Sequence, residues 1–128
     1  MASKFIVPQK AVIMDGVRFL ILKRSVHAHA YPNRWDFPGG KLETGEDAIK
    51  SLEREVLEET GLKVRVIRPV FTFHETVKDP VVFIVYECER LSGEIRLSHE
   101  HTEYRWATRQ EILRLDTVNF LRAFLNRS

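Results

Sequence analysis

The chain has 128 residues, 44% of them hydrophobic, which is enough for the core of one domain and too little for two joined by a linker. With 20 Lys plus Arg against 18 Asp plus Glu the net charge is +2, which argues against a protein that grips a nucleic-acid polymer and leaves a small anionic substrate open. Cys88 is the only cysteine, excluding an intramolecular disulfide and a four-cysteine zinc site. No apolar run has the length of a membrane span or signal peptide, so a cytoplasmic protein with no membrane partner is expected.

Residues 5–14 and 17–23 are β-rich and flank Asp15-Gly16, a dipeptide suited to a tight hairpin. Over residues 24–45 the periodicity stops and Pro and Gly accumulate, which signals a long loop interrupted by a short strand at 35–37. Residues 46–60 hold no Gly or Pro and are followed by Gly61, the pattern of a helix with a glycine C-cap. Residues 62–76 read as extended, with Pro69 limiting their pairing, and Lys78-Asp79-Pro80 as a turn into a strand over 81–90. Gly93 opens a further strand over 94–98, and a last one covers 104–106. Thr108 caps a short helix reaching Leu115, and Thr117 caps another reaching Asn126. Strands and helices that do not alternate regularly indicate an α+β (mixed α/β) fold, a mixed sheet covered by helices, in one domain over residues 1–128.

On the 46–60 helix, Ala48, Leu52 and Val56 make an apolar stripe that Ile49 widens. Glu55, Glu58 and Glu59 fall on the adjoining arc, with Glu59 nearly in line with the stripe. Like charges three and four residues apart repel, and the negative end of the helix dipole disfavours acids in the last turn. Pairing with Arg54 and Lys50 on a solvated face is the simpler account, but it leaves Glu55 and Glu59 without evident partners. A bound Mg²⁺ or Mn²⁺ resolves the conflict, oxygen donors suiting these ions better than zinc. The preceding Phe37-Pro38-Gly39-Gly40 lets the backbone approach a ligand closely.

Gly40, five residues, Glu46, seven residues and then Arg54-Glu55-Val56-Leu57-Glu58-Glu59-Thr60-Gly61-Leu62 match the signature of the Nudix hydrolases at every defined position. Seven fixed residues coincide by chance on the order of once in 10⁸ starts. The box covers 23 residues, and Trp35-Asp36-Phe37-Pro38-Gly39 and Glu103-Tyr104-Arg105-Trp106 extend the likeness along the chain. It most resembles the MutT-type nucleoside triphosphate pyrophosphohydrolases.

The resemblance implies an α/β/α sandwich and Mg²⁺- or Mn²⁺-dependent hydrolysis of a nucleoside diphosphate linked to another group. It implies that Glu55, Glu58, Glu59 and the Gly39 carbonyl hold metal, that Arg54 orients the glutamates, and that Glu46 supports them. For the general base, Glu58 competes with an acid of the loop at 99–103. Glu100, six residues before Trp106, matches the family's spacing, and Glu103 is the alternative. By the same resemblance Arg24 and His29 contact phosphate or sugar, Asp36 and Phe37 line the base pocket, and Asn119 reads a purine edge, although an asparagine on an amphipathic helix is more commonly just solvated. The expected substrate is a nucleoside triphosphate such as an oxidised purine nucleotide. ADP-ribose, a nucleotide sugar or a dinucleoside polyphosphate is the alternative, and a non-catalytic nucleotide-binding regulator is the rival of another class. Val77 and the following Lys78-Asp79-Pro80 lack the proline and tyrosine marks of the ADP-ribose and dinucleoside polyphosphate branches, favouring triphosphates. The expected partner is a small nucleotide alone, the chain acting as monomer or homodimer. The pairs His27/His29 and His99/His101 lack a third zinc ligand. Cys88 alternates with strand core residues and reads as buried, and Phe120, Leu121, Phe124 and Leu125 read as core.

Overall fold

In a computed structural model, residues 4–76 and 78–127 are described, so Val77 and the extreme ends of the expected 1–128 domain lie outside the described residues. Strands β1 (Pro8–Asp15) and β2 (Arg18–Arg24) form the expected hairpin. Asp15 pairs directly with Arg18, so the turn is Gly16-Val17 and Gly16 takes the positive φ of 61°. There follow β3 (Trp35–Asp36), β4 (Gly39–Lys41), α1 (Ala48–Thr60), β5 (Lys63–Thr76), β6 (Pro80–Ser92), β7 (His101–Ala107), α2 (Arg109–Ile112) and α3 (Asn119–Leu125).

The sheet runs β3-β2-β1-β6-β5, with β4 also paired to β1 and β7 to β2. Strands β1 and β6 are parallel and the other pairs antiparallel, which makes the sheet mixed as expected. Period-two alternation sends Ala11, Ile13, Leu20 and Leu22 to one face and Val12 and Ile21 to the other. The first face packs under Leu52 and Val56 of α1, the second under Phe120, Leu121, Phe124 and Leu125 of α3. Each large buried side chain contributes roughly 1.5–3 kcal/mol. The result is an α/β/α sandwich. No helix of the described residues is long and apolar enough to cross a membrane.

Four local expectations are corrected. Helix α1 starts at Ala48, because Asp47 takes the N-cap by accepting from the Lys50 amide at 2.9 Å; Glu46 stays outside the helix. Ile49 is exposed, and Ser51 is buried in its place beside Leu52. Residues 94–98 form no strand. Their backbone instead lies against the end of α1, where the Arg96 amide donates to the Thr60 carbonyl at 2.7 Å and the Ser98 amide to the Glu59 carbonyl at 3.2 Å, satisfying carbonyls a helix end leaves free. Near the C-terminus Val118 and not Thr117 is the N-cap of α3, and α2 ends at Ile112, because Thr117 is drawn into a bridge with Trp35. Pro69 is tolerated because β5 is the edge strand and its register slips on both sides of that residue.

Candidate active site

The site is built where β4 meets the C-terminal half of α1. The Pro38 carbonyl accepts from the Ala11 amide at 2.8 Å, fixing the turn to β1. Gly39 sits at φ 149°, and a Cβ there would lie 1.9 Å from the Gln9 carbonyl oxygen, so only glycine fits. A Cβ on Gly40 would lie 2.7 Å from Glu55 Oε2, so the bare glycine is what allows that carboxylate to rest on the turn.

Arg54 gathers the acids. Its Nη1 lies 3.1 Å from Glu58 Oε1 and 3.3 Å from Glu55 Oε1, and its Nη2 3.0 Å from Glu46 Oε2. The pairing is wider than helix spacing suggested, and Glu55 is not without a partner. Burial pushes the Glu55 carboxyl up, Arg54 opposes this, and the neighbouring Glu58, Glu100 and Glu46 charges raise it further.

Glu59 is buried at 4% exposure and accepts from the Gly39 amide at 3.2 Å. Burial lifts its carboxyl to about 8; Lys10 and the Gly39 amide pull it down, while Asp36 and Glu100 push it up. Left alone the group keeps its proton, and ionising it out of water among other acids calls for a cation. The donor set, carboxylate oxygens beside a glycine turn, is hard and suits Mg²⁺ or Mn²⁺. Among the described residues no three acidic, His or Cys side chains are already drawn together into a metal cage; Arg54 stands between Glu46, Glu55 and Glu58.

The loop acids separate. Glu100 is held at its backbone, its carbonyl accepting from the Ser25 amide at 3.0 Å, and its charge acts on both Glu55 and Glu59. Glu103 lies within β7 facing Lys23 of β2, 3.5 Å from its amine. Between them, His101 is buried with Nδ1 unpartnered, and burial lowers its imidazole to about 4, so it is neutral at physiological pH.

Of the residues expected at the substrate, Asp36 is buried opposite Leu22, where its Oδ2 accepts from Lys10 Nζ at 2.9 Å and Arg24 Nη1 at 3.1 Å. Phe37 is fully enclosed, packed edge-on to Phe120 and Phe124, and has no surface to give a base pocket. His29 is exposed on the loop after β2. Asn119 lies on α3, its amide donating to Tyr31 and Glu75. Cys88 is buried as expected, its thiol pushed up to about 12 by burial. Sequence reading weighed His101 only as half of a zinc pair and missed Lys10, Tyr31 and Glu75. Only Gln9-Lys10 left a signal, two polar residues at the head of an apolar strand.

The NUDIX domain pattern matches residues 8–127, and the chain belongs to that family. A MutT-like protein of Streptomyces ambofaciens is 32% identical over 101 residues, covering 79% of this chain and 62% of its own length, so the chain spans less than two thirds of that relative. The nucleoside triphosphatase NudI of Enterobacter sp. (strain 638) is 23% identical over 117 residues, covering 82% of this chain and 83% of its own. Among solved structures, the MutT protein from Methanosarcina mazei Go1 superposes with a TM-score of 0.88 at 30% identity, covering 99% of this chain and 94% of that one.

Proposed function

We propose that the chain hydrolyses a phosphoanhydride bond in nucleoside diphosphate-linked substrates, foremost a nucleoside triphosphate such as an oxidised purine nucleotide, giving the monophosphate and pyrophosphate. The observation that carries this reading is the grouping of Glu46, Glu55 and Glu58 on Arg54 beside a buried Glu59 that touches the Gly39 amide. The family membership and the names of the relatives above support it.

Glu55, Glu58, Glu59 and the Gly39 carbonyl would hold a divalent ion, which would supply charge neutralisation on phosphate and a lower pKa for water. The chain's own groups do the rest. Arg54 holds Glu55 and Glu58 at fixed positions, so little reorganisation is needed when charge develops. Glu58 and Glu100 are the two carboxylates proposed to take the proton of the attacking water, as the bond from the attacked phosphorus to the bridging oxygen of the leaving group breaks. Arg24 presents a guanidinium to the phosphates, and the Asn119 side-chain oxygen, which makes no hydrogen bond among the described residues, is offered to a nucleobase donor. A nucleotide substrate and a buried thiol at Cys88 suit a reducing cytoplasm.

The test is a panel of ribo- and deoxynucleoside triphosphates, 8-oxo-dGTP, ADP-ribose, a nucleotide sugar and a dinucleoside polyphosphate, each with Mg²⁺ or Mn²⁺. Release of pyrophosphate from a triphosphate is the expected result. Tight nucleotide binding without turnover would instead favour a non-catalytic regulator.

A further inference from the structure

Tyr31 and Asn33, in the segment between β2 and β3, stand at φ 50° and 62°. Asparagine adopts such a backbone readily, whereas a bulky residue such as Tyr31 keeps it where its surroundings hold it. Here three side chains from distant parts of the chain close on one another. The Tyr31 hydroxyl donates to Glu75 Oε2 at 2.5 Å, while Asn119 Nδ2 donates to the Tyr31 oxygen at 2.9 Å and to Glu75 Oε1 at 3.2 Å. The polarity of this clasp is fixed, because a carboxylate only accepts and Tyr31 has one proton to give, so the amide must supply the other donors. The Arg34 guanidinium covers the Tyr31 ring at 5.4 Å.

The residue before Tyr31 is tied to the site. The Ala30 carbonyl accepts from Arg24 Nε at 2.9 Å, and Arg24 Nη1 donates to Asp36 Oδ2, which also takes the Lys10 ammonium. Two sets of hydrogen bonds, Asn119 and Glu75 on the Tyr31 hydroxyl and Arg24 on the Ala30 carbonyl and Asp36, are therefore joined through the Tyr31 side chain and its peptide to Ala30, linking the start of α3 to the buried charges of Asp36 and Lys10. Anchored at both Nε and Nη1, the guanidinium has one orientation in which to offer Nη2, which makes no hydrogen bond among the described residues. Releasing Ala30 removes one anchor and lets the group turn about the other.

We propose that Tyr31, clasped by Glu75 and Asn119, is a positioning residue that orients Arg24 toward the substrate's phosphates; this rests on the phosphoanhydride hydrolysis proposed above. The test is a double-mutant cycle on the full chain with Mg²⁺ and the best triphosphate of the panel. Tyr31→Phe keeps the ring and its stacking, so the protein stays folded and melts within several degrees of wild type while kcat/KM falls about tenfold, chiefly through KM. Glu75→Ala reproduces that loss from the other side of the clasp. In an Arg24→Ala background, Tyr31→Phe adds less than about twofold. Binding of a non-hydrolysable triphosphate, measured by calorimetry, reads the same cycle without turnover. Undiminished kcat/KM in Tyr31→Phe, or its full effect surviving in Arg24→Ala, overturns the positioning role while leaving the hydrolase reading intact. A wild-type protein that neither binds nor cleaves any triphosphate removes both.

Discussion

The Gly39 amide donates to Glu59 Oε1 across 3.2 Å, joining the first residue of β4 to the last turn of α1. The bond pins a buried acid at the point where two consecutive elements fold back on each other, 20 residues apart along the chain. The backbone can come so near because neither Gly39 nor Gly40 carries a side chain, yet the two glycines are needed for different reasons.

Gly39→Ala places a methyl group on the Gln9 carbonyl, a rigid backbone atom, at a φ that L-residues avoid. The expected cost is about 3 kcal/mol of stability or more, read by chemical denaturation. Gly40→Ala meets only the movable end of Glu55, so the melting temperature is kept and kcat falls about tenfold or more. Equal destabilisation by the two variants would contradict this division.

Stability of the chelator-treated protein should depend on pH through Glu59 and His101. Glu59 keeps its proton in the fold up to about 8, against 4.5 ordinarily, so the folded state binds more protons and stability declines as pH rises through that window. His101, neutral down to about 4 instead of 6.5, acts in reverse, its contribution being full above 6.5 and lost as pH falls toward 4. The two oppose each other up to pH 6.5, and from there to pH 8 only the Glu59 slope remains, at most ~1.4 kcal/mol per pH unit. Urea unfolding at several pH values should show this decline in wild type and not in Glu59→Gln; the same slope in both would assign it to another group.

Arg54 is exposed and its ion pairs lie at the surface, so Arg54→Ala should melt close to wild type. Activity should fall roughly 100-fold, since three carboxylates lose their common anchor. Arg54→Lys recovers little, because one ammonium cannot reproduce the forked contacts to Glu46, Glu55 and Glu58. Steady-state rates beside thermal melts separate the two effects, and matched losses of both would mark Arg54 as merely structural.

For the base, Glu100→Gln and Glu58→Gln are compared across pH with Glu103→Gln as the control. Glu103 faces Lys23 on the sheet and should be dispensable within about twofold. Whichever of Glu58 and Glu100 takes the proton should lose about 10²–10⁴-fold and the acidic limb of the pH–rate profile. Loss of activity in Glu103→Gln alone would redirect the assignment to β7.

Much of the fold could be read directly. Unbroken apolar runs at 11–14 in β1 and 19–22 in β2 announce a sheet covered on both faces, and the Gly/Pro-free run ending at Gly61 announces α1. The acids of α1 were legible because helical spacing places Glu55, Glu58 and Glu59 together whatever surrounds them. Residues 94–98 were not: a β-like pattern shows that a segment is extended, not whether its amides meet another strand or the carbonyls of a helix end. Asp36 and Phe37 likewise looked available to a ligand from their place beside the glycine turn, but the packing of Lys10, Arg24 and α3 encloses them.

Local chemistry, then, is set by the chain itself: a helix bearing three acids, a glycine turn before it, two apolar faces per strand. Contact between remote segments decided the rest, bringing the Glu100 charge within range of Glu59, sending Glu103 to Lys23, and closing Tyr31 on Glu75 and Asn119. The physical reason is reach. Periodicity acts over a few residues, whereas the burial and partner of a charge depend on what the fold brings against it from tens of residues away.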